Sequence, residues 1–151
     1  MHLNWIIKHF SSLSLDELYS VIQLRQAVFV VEQNCPYQDA DDKDRAAVHV
    51  MGFDGRKELA AYARLLPAGA SFEEVSIGRV ITSKSARGSG SGKELIRLCL
   101  QHIEQLYGKV PVRIGAQCYL IQFYSGFGFK VVSPEYLEDN IPHVEMLRSE
   151  F

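Results

Sequence analysis

The residues with the clearest chemical potential form a glycine-rich turn between a β-branched segment and a helical pattern. Gly88, Gly90 and Gly92 alternate with serines, and Arg87 and Lys93 flank them. Glycine permits positive φ and lets a ligand approach the backbone closely. A helix that begins here leaves its first amides without intrahelical acceptors and carries a partial positive charge. The turn therefore predicts a pyrophosphate-binding site.

Two common phosphate-binding motifs do not match this turn. A Walker A loop needs Gly-Lys-Ser/Thr, but Gly92-Lys93 is followed by Glu94, and Arg87 stands where its first glycine should be. A Rossmann fingerprint needs Gly-x-Gly-x-x-Gly, and the three glycines have the wrong spacing. The turn instead has the pattern Arg-x-x-Gly-x-Gly, formed by Arg87, Gly90 and Gly92. The alternative is a flexible serine–glycine linker.

A second pattern lies in residues 116–129, where a strand is followed by a short amphipathic helix. That helix ends in Phe-Tyr-x-x-x-Gly-Phe, which begins at Phe123 and places a tyrosine at position 124. Taken by itself, this segment favours a core residue at Tyr124, with a buried ring and a hydroxyl bonded to a backbone carbonyl.

Hydrophobic periodicity and turn residues predict the elements that position these groups. Strands are expected at residues 4–10, 47–53, 58–66, 74–82, 110–116, 129–133 and 143–148. A capping box at Ser14 and Glu17 starts a first helix that ends near Val30 or Val31. A second helix follows the glycine turn and stops at Gly108, and a third covers residues 119–127. This alternation indicates an α/β domain with a mixed sheet.

The helical spacing also predicts which side chains are buried. The expected stripes are Leu18, Ile22, Arg25 and Phe29 in the first helix, and Leu95, Cys99, His102 or Ile103, and Leu106 in the second.

A polar loop at residues 32–45 contains four aspartates, Asp39, Asp41, Asp42 and Asp44. Their spacing is not that of an EF-hand. We expect a solvated rim, with attraction of a cationic acceptor as the alternative. Arg25 and Arg79, which lie on otherwise apolar segments, are expected to orient carboxylates.

The composition is that of one soluble globular domain spanning residues 1–151. A net charge of −2 gives no reason to expect nucleic acid or an anionic membrane as a partner. Three widely spaced cysteines favour reduced thiols in a cytoplasmic protein, and the first ten residues lack a signal-peptide profile. The cysteines and histidines lack metal-ligand spacing, so no metal is expected. The sequence leaves a homodimer open.

The two motifs together resemble those of the GNAT N-acetyltransferase superfamily. The chain is more specifically similar to the ElaA family, and nearly its whole length takes part in the resemblance. The segments that carry it are residues 24–39, 41–44, 63–66, 77–80 and 138–143, with His49. Asn140 departs from an expected glycine, although asparagine also tolerates the left-handed region.

The resemblance implies a fold, a cosubstrate and a reaction. The fold is a mostly antiparallel mixed sheet flanked by helices, with a splayed central strand pair. The cosubstrate is acetyl-CoA, and the acetyl group passes by direct attack in a ternary complex to a primary amine of a small molecule or peptide. The implied cofactor-binding residues are Val80, Ile81, Thr82, Arg87, Gly88, Ser89, Gly90, Ser91, Gly92, Lys93, Gln117, Phe123 and Tyr124.

The resemblance also gives Tyr124 the role of general acid toward the leaving sulfur. An alkyl amine has a pKa near 10, so a base must remove a proton before attack. The candidates for that base are Glu32, His49, Glu138 and His143. Two other functions stay open: a non-catalytic module that senses acyl-CoA, and a protein-interaction domain that only keeps the fold.

Overall fold

The computed structural model describes residues 2–149, so the two ends of the predicted 1–151 domain lie outside it. Its strands are β1 (Asn4–His9), β2 (Val48–Phe53), β3 (Leu59–Leu66), β4 (Val75–Thr82), β5 (Val112–Gln117), β6 (Lys130–Val131), β7 (Tyr136–Glu138) and β8 (Ile141–Arg148). Its α-helices are α1 (Leu15–Arg25), α2 (Ser91–Tyr107) and α3 (Ile121–Ser125). Short 3-10 segments lie at Phe10–Ser12, Lys43–Ala46, Lys84–Ala86 and Cys118–Leu120.

The strands form one mixed sheet in the order β1-β2-β3-β4-β5-β8-β6, and β7 also pairs with β8. Every neighbouring pair is antiparallel except β4–β5, which is parallel. The predicted fold class, a mostly antiparallel sheet flanked by helices, is confirmed. The segment between the last two predicted strands is more ordered than expected: it contains β7, and β8 begins at Ile141.

Two helices cover opposite faces of the sheet. The larger core lies under α2, where Leu95, Ile96 and Cys99 meet buried residues of the strands. The smaller core lies under α1, where Val21 meets Met51 and other residues. Burying the apolar faces of both helices on one sheet removes their nonpolar surface from water, and this drives the arrangement.

The capping box that starts α1 is present as predicted. Ser14 Oγ accepts from the Glu17 amide at 3.0 Å, and Glu17 Oε1 accepts from the Ser14 amide at 2.8 Å. The helical path continues to Glu32, but residues Gln26–Glu32 form a π-helix. The predicted apolar stripes are wrong at Ile22 and Leu106, which are 37% and 48% exposed, because neither faces the sheet.

Two predicted turns have the expected backbone. Gly108 ends α2 with φ 81°, where a side chain would be strained. Asp139 and Asn140 connect β7 to β8 with φ values of 51° and 63°. Asn140 therefore adopts the left-handed conformation that permits it to replace glycine.

No helix among residues 2–149 combines the length and the apolarity needed to cross a membrane.

Candidate functional site

A large cleft opens where β4 and β5 separate. The two strands pair only at their first residues, Val75 with Val112 and Ser76 with Arg113. Beyond Ser76 they diverge, and the residues of both strands line a cleft of about 1270 Å³. The edge of β4 that faces β5 therefore has no strand partner from Ile77 onward, so its backbone groups are available to a ligand.

A β-bulge distorts β4 beside this opening. Tyr62 of β3 lies opposite Ile81, and Arg64 lies opposite Gly78, so β4 contains one residue more than β3 over the same span. Arg79, within the bulge, has φ 52°, a conformation that costs a non-glycine residue roughly 1–2 kcal/mol. Bulges of this kind often lie next to active sites, where they redirect backbone and side-chain groups.

The glycine turn leads into α2 as the sequence predicted. Gly88 and Gly90 have φ values of 77° and 85°, so both need glycine. No hydrogen-bond acceptor occurs within residues 2–149 for the amides of Gly88, Gly90, Ser91, Gly92 and Lys93. Gly90 caps the helix without a side-chain hydrogen bond. Free amides at a helix start provide the donors that a pyrophosphate requires.

Tyr124 is placed by α3 against the cleft, and its side chain is 6% exposed. Burial raises the pKa of its hydroxyl, which therefore stays protonated at neutral pH. The hydroxyl makes no hydrogen bond to any residue that the structure describes. The alternative in which this hydroxyl is bonded to a backbone carbonyl is not observed. Phe123 packs edge-on against the Tyr124 ring at 5.1 Å between centroids, which fixes its orientation.

Glu32 and Arg87 form a bridge across the mouth of the cleft. Arg87 donates to both carboxylate oxygens of Glu32, at 2.6 and 2.8 Å. These hydrogen bonds lower the pKa of Glu32. The carboxylate is therefore a weaker base than an ordinary glutamate, and the arginine of the glycine motif is held by an acidic partner.

His143 and Glu138 lie on the β5 side of the cleft. Nδ1 of His143 donates to the Ile141 carbonyl at 2.7 Å, and Nε2 lies 3.3 Å from Glu138 Oε2. The Tyr136 ring stacks on the imidazole at 5.9 Å. Because Nδ1 donates its hydrogen to a backbone carbonyl, Nε2 is the nitrogen that can exchange a proton within the cleft.

His49 does not belong to the site, so it is withdrawn as a candidate base. Its side chain is fully buried beneath Tyr62, whose hydroxyl lies 2.6 Å from Nδ1. Nε2 lies 3.0 Å from the Asp44 carbonyl. Burial lowers the pKa of His49 and favours the neutral ring. It is a structural residue, because both nitrogens are occupied inside the protein.

The acidic loop is largely an ion-pair network, and the expectation of a solvated rim is wrong. Arg25, 1% exposed, donates to Asp39 at 2.7 Å and to Asp44 at 2.6 Å. Arg79 donates to Asp39 at 2.8 Å. Of the four aspartates only Asp42 matches the prediction, with 85% of its side chain exposed. The prediction that Arg25 and Arg79 orient carboxylates is confirmed.

Arg64 extends this network into the cleft. It donates to both carboxylate oxygens of Asp41, each at 2.7 Å, and to Asp44 at 2.9 Å. Burial by itself raises the pKa of Asp41, but the hydrogen bonds and charge of Arg64 outweigh it and hold the pKa well below the usual value. Arg64 was not among the predicted site residues. The signal was available, since an arginine within the apolar strand β3 needs a buried anion.

The cleft brings together many of the predicted cofactor-binding residues but not all of them. Those that line it are Val80, Ile81, Thr82, Arg87, Gly92, Gln117, Phe123 and Tyr124. The rest of the glycine turn does not line it: Gly88, Ser89, Gly90, Ser91 and Lys93. Three of these, Ser89 to Ser91, border a small cavity of about 90 Å³ beside Leu3 and Trp5. Tyr136 and Ser76 line the cleft and were not predicted.

Comparison with known protein families identifies the class of protein to which this fold and this site belong. The acetyltransferase (GNAT) domain family matches residues 16–149. The chain belongs to the GNAT acetyltransferase family.

Within that family the chain is similar to ElaA proteins. It is 45% identical to protein ElaA of Escherichia coli over 97% of this chain and 96% of the relative. The crystal structure of Escherichia coli ElaA has a TM-score of 0.91 at 44% identity, over 97% of this chain and 99% of that one. An acyl-CoA N-acyltransferase from Pseudomonas aeruginosa has a TM-score of 0.92 at 44% identity, with the same coverage.

A more distant structure shares the fold alone. An aminoglycoside 6'-N-acetyltransferase complexed with coenzyme A has a TM-score of 0.69 at 15% identity, over 95% of this chain and 96% of that one.

Proposed function

We propose that the protein is an N-acetyltransferase that uses acetyl-CoA to acetylate a primary amine of a small molecule or peptide. The observation that carries this proposal is the separation of β4 and β5. It places an unpaired strand edge, the unbonded hydroxyl of Tyr124 and the start of α2 along one cleft. Family membership and the coenzyme A complex of the distant neighbour support the same cosubstrate.

The start of α2 would hold the pyrophosphate. Its free amides supply hydrogen-bond donors, and the helix dipole adds a partial positive charge; these are the amides of Gly88, Gly90, Ser91, Gly92 and Lys93. Arg87 adds a full charge once it turns from Glu32 toward the phosphates. Gly92 reaches the cleft itself, so a ligand bound at the turn would extend from there toward β4.

The unpaired edge of β4 would receive the thioester and polarise its carbonyl. Attack by an amine places negative charge on the carbonyl oxygen, and fixed backbone amides stabilise such charge without reorganising. The bulge at Arg79 is the local distortion that separates these amides from the regular ladder with β3.

The acyl transfer forms a C–N bond and breaks a C–S bond. The neutral amine attacks the thioester carbon, and the departing thiolate takes the proton of the Tyr124 hydroxyl, which solvent later restores. The ammonium loses one proton before the attack, which His143, with Glu138 beside Nε2, would accept. The nitrogen loses a second proton to solvent as the amide forms. The net reaction yields an amide and a thiol, and releases one proton.

The test compares acetyl-CoA consumption by the parent protein and by Tyr124→Phe over a panel of amines. General acid catalysis typically contributes about 10²–10⁴-fold, so the variant should lose roughly 10²-fold or more in kcat. Its KM for acetyl-CoA should change little, because only a hydroxyl is removed. Tyr19→Phe is the matched control, since Tyr19 is 71% exposed on α1 and lies outside the cleft.

Two results would contradict the proposal. An unchanged kcat in Tyr124→Phe would remove the tyrosine from the chemistry. Acetyl-CoA binding, with no acetylation of any amine, would indicate the sensing module instead.

A further inference from the structure

Two polar groups on the floor of the cleft have no partner. The Nε atom of Arg64 is buried and has no hydrogen-bond acceptor within residues 2–149. The hydroxyl of Ser76 makes no hydrogen bond in the described part of the chain either, although the residue is only 3% exposed. Both residues line the cleft. Buried polar groups are nearly always paired in folded proteins, so the unpaired Nε–H of Arg64 indicates a missing ligand, and the solvent-accessible hydroxyl of Ser76 is a second unbonded donor in the same cleft.

The strand pattern places both groups on the same face. Ile77 and Leu65 belong to the core under α2, so their neighbours along each strand point to the opposite face. Ser76, Gly78 and Arg64 therefore all face the α1 side, and all three line the cleft. Arg64 lies directly opposite Gly78.

Gly78 leaves space beside the Arg64 side chain. A Cβ atom at position 78 would lie 3.9 Å from Arg64 Nε. The φ value of Gly78 is not positive, so backbone conformation does not require glycine here. The absent side chain instead leaves room next to an unsatisfied donor on the cleft floor.

The chemistry of these groups selects an oxygen acceptor. Asp41 binds the outer nitrogens of Arg64, Nη1 and Nη2, and leaves the Nε–H bond free. An N–H bond and a hydroxyl can both donate to one carboxylate. Lys43, which donates to Ser71 Oγ at 2.8 Å, adds a further positive charge at the cleft wall.

The local charge also favours an anion. Around this floor lie four cations and three carboxylates: Arg25, Arg64, Arg79, Lys43, Asp39, Asp41 and Asp44. Acidic groups on the opposite, β5 side of the cleft are those of Glu138, Asp139 and Glu145. A ligand that carries a carboxylate at one end and an ammonium at the other matches both sides.

We infer that the acetyl acceptor is an amino-carboxylate, a primary amine whose carboxylate accepts hydrogen bonds from Arg64 Nε and Ser76 Oγ. The inference rests on the proposed function, because it concerns the acceptor of the same reaction. Arg64 and Ser76 are then the residues that determine specificity, and the amine is held toward His143.

The kinetic test uses amines that differ only by a carboxylate. Lysine is compared with 1,5-diaminopentane, and phenylalanine with phenethylamine. The carboxylate-bearing member of at least one pair should have a kcat/KM at least about tenfold higher, since a site built to hydrogen-bond a group discriminates against analogues that lack it. Gly78→Ala, which fills the space beside Nε, should reduce that ratio at least about fivefold, and Ser76→Ala should also reduce it. Gly55→Ala is the control, because Gly55 has open space around it and should keep the ratio.

A second measurement does not need turnover. The side-chain Nε–Hε signals of the arginines are recorded by ¹⁵N NMR, and the signal of Arg64 is identified by its loss in Arg64→Lys or its displacement in Gly78→Ala. Lysine should shift this signal, and 1,5-diaminopentane should not. Equal shifts, or no shift with lysine at millimolar concentration, would mean that water alone satisfies Nε and would overturn the inference.

The kinetic test and the NMR measurement distinguish a failure of this inference from a failure of the proposed function. Acetylation of both members of every pair at equal rates would overturn the amino-carboxylate assignment and keep the acetyltransferase. A lysine-specific shift of the Arg64 signal, with no amine acetylated, would support the binding site and contradict the acetyltransferase.

Discussion

Replacing Arg25 by methionine should destabilise the protein strongly. Arg25 is 1% exposed and donates three hydrogen bonds, to Asp39 Oδ2 at 2.7 Å, to the Asp39 carbonyl at 2.8 Å and to Asp44 at 2.6 Å. Removing one partner of a buried ion pair costs about 3–5 kcal/mol, because the remaining charge is left in a region of low dielectric. Both carboxylates keep another arginine, Arg79 or Arg64, so we expect the lower end, about 3 kcal/mol.

The measurement is urea unfolding at neutral pH, followed by circular dichroism. With an m value of about 2 kcal/mol/M, a loss of 3 kcal/mol lowers the midpoint by about 1.5 M. At about 2–4 °C per kcal/mol for a chain of this length, the melting temperature should fall by roughly 6–12 °C. Arg97→Met is the matched control. Arg97 pairs with Glu94 on the surface of α2 with 57% of its side chain exposed, so its loss should leave the urea midpoint and the melting temperature essentially unchanged.

One result would refute this reasoning about the network. If Arg25→Met were as stable as the parent protein to within about 0.5 kcal/mol, the aspartates would not depend on Arg25 for compensation. The network would then be a replaceable feature of the fold, as some buried ion pairs are when apolar residues fill their space.

Three further predictions concern the cleft mouth, the acidic loop and the end of α2. Glu32→Gln should release Arg87 and strengthen coenzyme A binding, measured by calorimetry, up to about fivefold, because an exposed ion pair is worth about 0–1 kcal/mol. The control is Glu74→Gln, which breaks a similar ion pair elsewhere and should leave the affinity for coenzyme A unchanged. The lowered pKa of Asp41 means that its contribution to stability is present above the unfolded pKa of about 4 and is lost as the pH falls below it. The drop in melting temperature from pH 7 to about pH 3 should therefore be smaller in Asp41→Asn, and an equal drop would contradict the assignment. Gly108→Ala should lower the free energy of unfolding by about 1 kcal/mol, measured by thermal unfolding, because φ at this position is 81°. An unchanged stability would contradict the need for glycine at the end of α2.

Local signals predicted the elements of this fold well. The capping box at Ser14 formed as expected, because it depends only on residues three positions apart. Gly108 ended α2, and the glycine turn led into that helix. Cys99 was expected on a buried helical face and is fully buried. These features follow from short-range backbone geometry and hydrophobic periodicity, which a sequence displays directly.

The acidic loop and His49 could not be assigned correctly from the sequence. The aspartates looked solvated because their arginine partners lie far away along the chain: Asp39 meets Arg25 at a separation of 14 residues and Arg79 at 40. His49 looked like a possible base because a sequence does not show which face of a strand is buried. The roles of both depend on long-range contacts, which form only when the sheet assembles.

The sequence by itself determined the glycine turn, the tyrosine at the end of the third helix and, apart from β7, the order of strands and helices. Only the tertiary structure decided where the cleft opens. Ile77 and Ile81 are four residues apart on one strand, yet they pack in cores on opposite faces of the sheet. The bulge between them reverses the alternation of side chains, and the loss of pairing beyond Ser76 parts the two central strands. The physical reason is that strand register is set by packing between distant segments, so no local pattern of residues reveals it.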